Sequence, residues 1–373
     1  MKKRNSSIEL LRIISMLMII AHHYIVGSQI NTLEDNLSFN KLFADCVLRP
    51  GGKIGVVIFF LITAWFLSSS KKTSFEKCLC KVLQIEKEML FWSIVASLFT
   101  FIFWRQYFQT KYFLICFFPT LFRLWWYPTS YIIFLLIFPF LHTALQKINQ
   151  KVHKRLCCVL FFIWGIVAGI LPNINLDIVN QNMLIFIYIY ILVSYYRWYM
   201  KPITIKQSIA LIGISYLLII LNIIICSILF QYTQIHFFAA IADTWISHEW
   251  KIPVLGIAFG LFNYFISEQF SSQLINIIAS TTFGIFLIHN HPLIQEILSH
   301  SLFDFSTYYD SRFFCFLSIG IVLIIFLIGM ILDLARQRVF TFLSKPFIKI
   351  DTVVLNIYRF IKKRLLSARI FDD

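Results

Sequence analysis

Long apolar runs separated by short polar ones set the rhythm of this chain. Stretches of roughly 17 to 25 mainly apolar residues are what a helix needs to cross a bilayer. Ten such stretches fall at approximately 8–26, 54–70, 83–104, 125–145, 156–172, 178–196, 207–230, 251–267, 274–292 and 312–333. The eighth is the weakest, because Gly256 and Gly260 dilute it. No internal repeat, low-complexity tract or appended soluble domain breaks the pattern. The expected fold is all-α, a polytopic integral membrane bundle of about ten transmembrane helices, with residues 1–335 embedded and 336–373 forming a basic amphipathic cytoplasmic tail.

Composition agrees with a lipid solvent. Of 373 residues 59% are hydrophobic, 18% aromatic and 14% charged, and single water-soluble cores stop growing at roughly 250 to 300 residues. The net charge of +15 sits in short runs between apolar segments, not on one face, which argues against nucleic acid and for loops obeying the positive-inside rule. Lys2, Lys3 and Arg4, then Lys71, Lys72, Lys77 and Lys81, then Lys147, Lys151, Lys154 and Arg155, then Arg197, Lys201 and Lys206, and the tail from Arg336 to Arg369 all fall on one side. The other side keeps scattered cations such as Lys41, Arg49, Lys53, Arg105, Lys111, Arg123 and Lys251. Both termini are therefore expected in the cytoplasm, with "YRFIKKRLLSARI" a surface helix on anionic lipid. Glu9 and Arg12 interrupt the first apolar run, so it reads as a retained span and not a signal peptide. The eight cysteines lack metal or disulfide spacing and read as small buried hydrophobes, so no metal is expected.

The polar groups inside spans are the candidate chemistry, since each costs about 2.5 to 3.5 kcal/mol on insertion scales and usually faces a protein interior or a cavity. In "ELLRIISMLMIIAHH", Arg12 and His23 are eleven positions apart. They return to within about 20° of one face and stand roughly 16 Å apart along the axis. Glu9, one turn before Arg12, can pair with it. Glu9, Arg12, Ser15 and His23 form a stripe, with His22 a quarter-turn aside. Glu9 fits equally well as a snorkelling headgroup partner. In "STTFGIFLIHNHP", His289 falls at a depth comparable to His23, while His291 before Pro292 reads as an exit-loop residue. "RPGGKIGVVIFFLITAWFLS" opens the second span with close-approach glycines and places Thr63 in the bundle. In "WWYPTSYIIFLLIFPF", Trp125, Trp126, Tyr127 and Tyr131 fit either an interfacial aromatic belt or a sugar platform, the belt being the simpler reading. Arginine suits phosphate and histidine general-base work. A phosphate-bearing donor with a long arm, such as an acyl-coenzyme A, would span the gap.

These stretches resemble the motifs of the membrane-bound acyltransferase family 3, whose members O-acylate surface polysaccharides, peptidoglycan and related glycans. The Arg12–His23 helix resembles its opening motif, "GGKIGVVIFFLITAWFLS" its glycine-rich second-helix motif, "WWYPTSYIIFLLIFPFL" its tryptophan-tyrosine-proline segment, and "TTFGIFLIHNHP" its late Y-L-I-H motif. Thr63 and Ala64 stand where the family has serine and glycine, Phe286 where it has tyrosine, and Lys77 and Lys81 represent its basic motif. The resemblance implies catalytic roles for His23, His289 and Glu9, donor binding by Arg12, Lys77 and Lys81, and acceptor binding by Trp126, Tyr127, Tyr131 and Thr63. It implies a membrane O-acyltransferase of the bacterial cytoplasmic membrane, most simply an O-acetyltransferase. Acetyl-CoA or another acyl-CoA would be its co-substrate and no cofactor permanently bound; the acceptor would be a cell-surface polysaccharide or its lipid-linked precursor. His23 would act as general base or carry the acyl group transiently. The competing readings are a transporter or flippase for a lipid-linked sugar or small anion, with the stripe lining its path, and a polysaccharide polymerase. Membrane lipids are expected partners and nucleic acid is not; the oligomeric state stays open.

Overall fold

The computed structural model describes residues 5–28, 31–70, 73–172, 174, 176 and 182–367. Lys2, Lys3, Arg4, Lys71, Lys72, Arg369 and the start of the sixth expected span lie outside these residues. Every regular element among them is helical. Twelve segments carry the architecture: α1 (Ser6–Val26), α2 (Gly51–Ser68), α3 (Phe75–Phe103), α4 (Trp126–Lys147), α5 (Gln150–Ile170), α6 (Asn182–Tyr199), α7 (Ile205–Thr233), α8 (Ile252–Ser267), α9 (Gln273–His289), α10 (Pro292–Leu302), α11 (Phe314–Phe342) and α12 (Ser344–Ser367).

A helix stands at each of the ten expected positions, yet six are long and apolar enough to cross a membrane. α1, α4, α5, α7 and α11 meet that test alone, and α2 does so as part of Phe39–Ser68. The ninth expected span falls on α9, which has a turn at Thr281; beyond its end the chain bends 76° into α10, and the two helices together form a broken span or a re-entrant loop. α6 and α8 are shorter apolar helices, and α3 carries Glu76, Lys77, Lys81, Glu86, Lys87 and Glu88 in its first half. The tenth span runs on to Phe342, so the expected boundary at 335/336 falls within α11, and Arg336, assigned to the tail, is buried there.

Small polar groups fix the lower end of α1, taking α1 as running upwards. Asn5 caps the helix by accepting from the Ser7 amide at 3.1 Å. Ser6 Oγ reaches Asn276 Oδ1 at 3.0 Å on α9, and Ser7 Oγ donates to the Phe265 carbonyl at 2.7 Å on α8. α9 lies parallel to α1, since its start meets Ser6 and its end meets His23. α2 runs antiparallel to α1, with Gly51 at the Met18 carbonyl and Gly55 at the Ser15 carbonyl. α11 runs antiparallel to α9, with Gln337 at Ser280 and Asp333 at Gly284. The glycines that weaken the eighth run have a packing reason: a Cβ at Gly256 would lie 2.2 Å from Ser215 Oγ, and one at Gly260 2.9 Å from the Ser208 carbonyl. Helices in lipid associate through such close approaches, where the hydrophobic effect offers little.

The upper loops hold their charges in pairs. Asp45 takes Lys41 at 3.2 Å and Arg49 at 3.0 Å, and Lys53 meets Glu249 at 3.1 Å. Three of the cations expected to be scattered on this side are thus ion-paired, with two carboxylates between them. His248 in the upper loop stacks on Trp250 with centroids 4.3 Å apart, and burial, aided by Lys53, pushes its pKa down to about 4. At the lower end α12 is fastened to α3 by Lys87–Asp351 at 2.8 Å, Arg359–Glu76 at 3.2 Å and the stacked rings of Phe75 and Tyr358. Its other side exposes Ile350, Val353, Ile357 and Phe360, the make-up of an interfacial helix.

Candidate active site

Arg12 and His23 both face the interior along the seam of α1 with α9, but they open into different spaces: Arg12 among α1, α2, α3, α4 and α9, His23 among α1, α9, α10 and α11. Arg12 lines a lower cavity of about 460 Å³ with Thr63, Lys81, Gln84, Glu88, Tyr127 and Tyr131. Glu9, almost fully buried, holds the guanidinium at 3.7 Å, the pairing expected for groups one turn apart. Above it lies an apolar constriction of about 20 Å³ walled by Met16, Ile19, Val56, Phe59, Tyr127, Phe283 and Phe286. Above that, His23 and His289 line a second small cavity of about 20 Å³ with Tyr24, Gln295 and Ser299.

The histidine pair has a defined protonation pattern. His289 Nδ1 lies 2.6 Å from the Ile285 carbonyl, which accepts only, so Nδ1 carries the hydrogen. Neutral His289 then presents a lone pair at Nε2, which lies 3.0 Å from His23 Nδ1. His23 must donate from Nδ1, and its Nε2 is left with a lone pair. A carbonyl on α9 therefore selects the basic nitrogen on α1. His22 is engaged elsewhere: its Nδ1 donates to the Arg49 carbonyl at 2.5 Å, and its ring covers Gly52, where a Cβ would approach to 2.3 Å.

A family model described as an acyltransferase domain, that of acyltransferase family 3, matches residues 5–345. The chain belongs to this acyltransferase family. Among curated proteins and among solved structures no significant match is found. Membership makes it a membrane acyltransferase, and the seam holding Arg12 and the histidine pair is its candidate centre.

In this acyltransferase the expected site residues divide between levels. His23 and His289 meet directly, and Glu9, Arg12, Lys81 and Thr63 gather around the lower cavity. Tyr127 and Tyr131, expected with Thr63 to meet an acceptor, line the Arg12 cavity with it. Trp126 packs against Tyr127 and Phe186 within the core and lines neither cavity. The belt reading also fails at Trp125, which is buried against His291. These rings face inward because the chain before α4 folds back along α3, where the Cys116 carbonyl accepts from Ser93 Oγ at 2.6 Å and Thr120 bonds to Glu86. His291 is no exit-loop group: it is fully buried at the break between α9 and α10, accepting from the Leu293 amide. Lys77 is exposed and does not line the Arg12 cavity.

Two groups escaped the sequence. Gln295 and Ser299 reach the histidine cavity only because α10 folds back by 76°, a bend that no motif announces. The other is the buried cluster around Asp333. Arg336 binds Asp333 through Nε at 2.6 Å and reaches Glu88 at 3.3 Å, while Trp92 Nε1 and Gln337 Nε2 also donate to the Asp333 carboxylate. Its signal was present: an acid and an arginine three apart at the end of an apolar run, the spacing already seen at Glu9 and Arg12. Glu88 carries this cluster to the wall of the Arg12 cavity, which it shares with a cleft of about 560 Å³ between α3, α11 and α12.

Proposed function

We propose that this protein is an O-acyltransferase, most simply an O-acetyltransferase, of the bacterial cytoplasmic membrane. It takes the acyl group from cytoplasmic acyl-CoA and passes it to a hydroxyl of a cell-surface polysaccharide or its lipid-linked precursor. The observation that carries this reading is the Ile285–His289–His23 chain of hydrogen bonds, which in neutral imidazoles leaves the lone pair of His23 on Nε2. A base so oriented is what activation of an alcohol requires.

The roles follow from the levels. The Arg12 cavity, with Lys81 at its wall, offers fixed donors and positive charge to the phosphates of the donor. Glu9 holds Arg12 in place. The acceptor hydroxyl gives its proton to His23 Nε2 while its oxygen attacks the thioester carbonyl. The C–O bond forms, the C–S bond breaks, and the proton passes on to the departing thiolate. His289 accepts from the imidazolium through Nε2 and keeps it oriented. A flippase would need one continuous polar path, whereas the polar levels here are divided by an apolar constriction, and this favours transfer over transport.

Membranes containing the protein should transfer label from acetyl-CoA to glycan. His23→Ala should lower that transfer by about 10²- to 10⁴-fold, the usual contribution of a general base, with the protein still present in the membrane. Undiminished transfer would refute the assignment.

A further inference from the structure

We infer that the apolar constriction between Arg12 and the histidine pair is the acyl-binding subsite, and that its walls limit the protein to acyl groups of two or three carbons. The inference rests on the acyl-CoA reading above and adds to it the residues that choose the acyl chain.

Three observations place the subsite. On α1, Met16 and Ile19 lie between the two polar levels, about 6 and 10 Å above Arg12 at 1.5 Å per residue, with His23 a further 6 Å up. Phe59, Tyr127 and Phe283 line both the constriction and the Arg12 cavity, so the two lie side by side and share these walls. At the opposite end the Phe286 ring stands 6.5 Å from the His23 ring and 6.0 Å from that of His289. A thioester whose coenzyme portion is held at Arg12 must therefore bring its carbonyl to His23 along Met16, Ile19 and Phe286.

The chemistry of the walls suits an alkyl group. Apart from the Tyr127 hydroxyl the constriction is hydrocarbon and sulfur, which favours a methyl and disfavours water, protecting the thioester from hydrolysis. Its size suits a short chain. A volume of about 20 Å³ holds one or two water-sized groups. Each further methylene must displace Phe59 or Phe286, and the Phe286 ring is held by Tyr127 and the two histidines.

The test uses the full chain in native membranes, with labelled acetyl-, butyryl- and octanoyl-CoA as donors and the resident glycan as acceptor. The wild-type protein should prefer acetyl to butyryl by about tenfold or more in kcat/KM, the discrimination an apolar pocket achieves per methylene or two. Phe286→Ala should shift that ratio towards butyryl by about tenfold, and Phe59→Ala, on a different helix, should shift it the same way if Phe286→Ala fails to accumulate. Equal use of butyryl and acetyl by the wild type, or an unchanged ratio in the accumulated variants, overturns the subsite while leaving acyl transfer intact. Absence of transfer from every acyl-CoA by the wild type overturns the acyl-CoA reading and the subsite with it.

Discussion

The Ile285 carbonyl does the least conspicuous work at the centre. A backbone acceptor 2.6 Å from His289 Nδ1 determines which nitrogen of a different residue, on a different helix, can take a proton. His289→Ala removes the partner of His23 Nδ1 and frees the imidazole to turn or change tautomer. Steady-state kinetics should show kcat lowered by about 10²-fold with the KM for acyl-CoA little changed. Arg12→Lys should show the converse. It exchanges a planar fork for a point charge, at about 1.5 to 3 kcal/mol of charge-assisted bonding, so KM for acyl-CoA should rise tenfold or more with kcat retained. The split would separate a lower binding level from an upper chemical one.

Among elements, α9 and α11 depend on a side chain that is missing. A Cβ on Gly284 would lie 1.8 Å from Asp333 Oδ1, and Asp333 cannot retreat because Arg336, Trp92 and Gln337 hold it. Gly284→Ala should therefore push the two helices apart and cost about 1 to 3 kcal/mol, the usual penalty of overpacking. Thermal unfolding in detergent should record a lower midpoint. Gly213→Ala, on the exposed face of α7 with no atom within 4 Å, supplies the contrast and should be neutral or slightly stabilising, because alanine costs less than glycine in a helix. The difference would show that contact geometry, and not helix propensity, sets the sensitivity of this bundle.

Over the whole molecule, the two polar levels and the constriction between them give the centre a direction. Lysines and arginines are more numerous at the end of the bundle where α1 starts, and at the other end Lys41, Arg49 and Lys53 are paired with Asp45 and Glu249. The positive-inside rule applied to this distribution gives the proposal that the Arg12 cavity is reached from the cytoplasm. Sealed inverted vesicles should accept added acetyl-CoA for transfer, and right-side-out vesicles should do so only after permeabilisation. Equal rates from both would reverse or abolish the assigned direction.

The apolar rhythm of the chain was enough to reveal helices at ten places and the Arg12–His23 stripe, because both depend on spacing along one helix, which periodicity records. Segment 274–292 shows where that legibility stops. Pro292 marks in the sequence where α9 ends, but nothing in the composition marks the 76° bend that folds α10 back. Folding then decided what the residues meet: that Tyr127 and Tyr131 face Arg12, that Gln295 turns back onto the histidines, and that Asp333 closes against Gly284. It also decided that the stripe serves two cavities with an apolar passage between them. Such pairings join residues far apart in the chain, His23 and His289 at 266 positions among them. Local pattern carries the tendency of each segment to be a helix in lipid, and only the three-dimensional arrangement carries the identity of its neighbours.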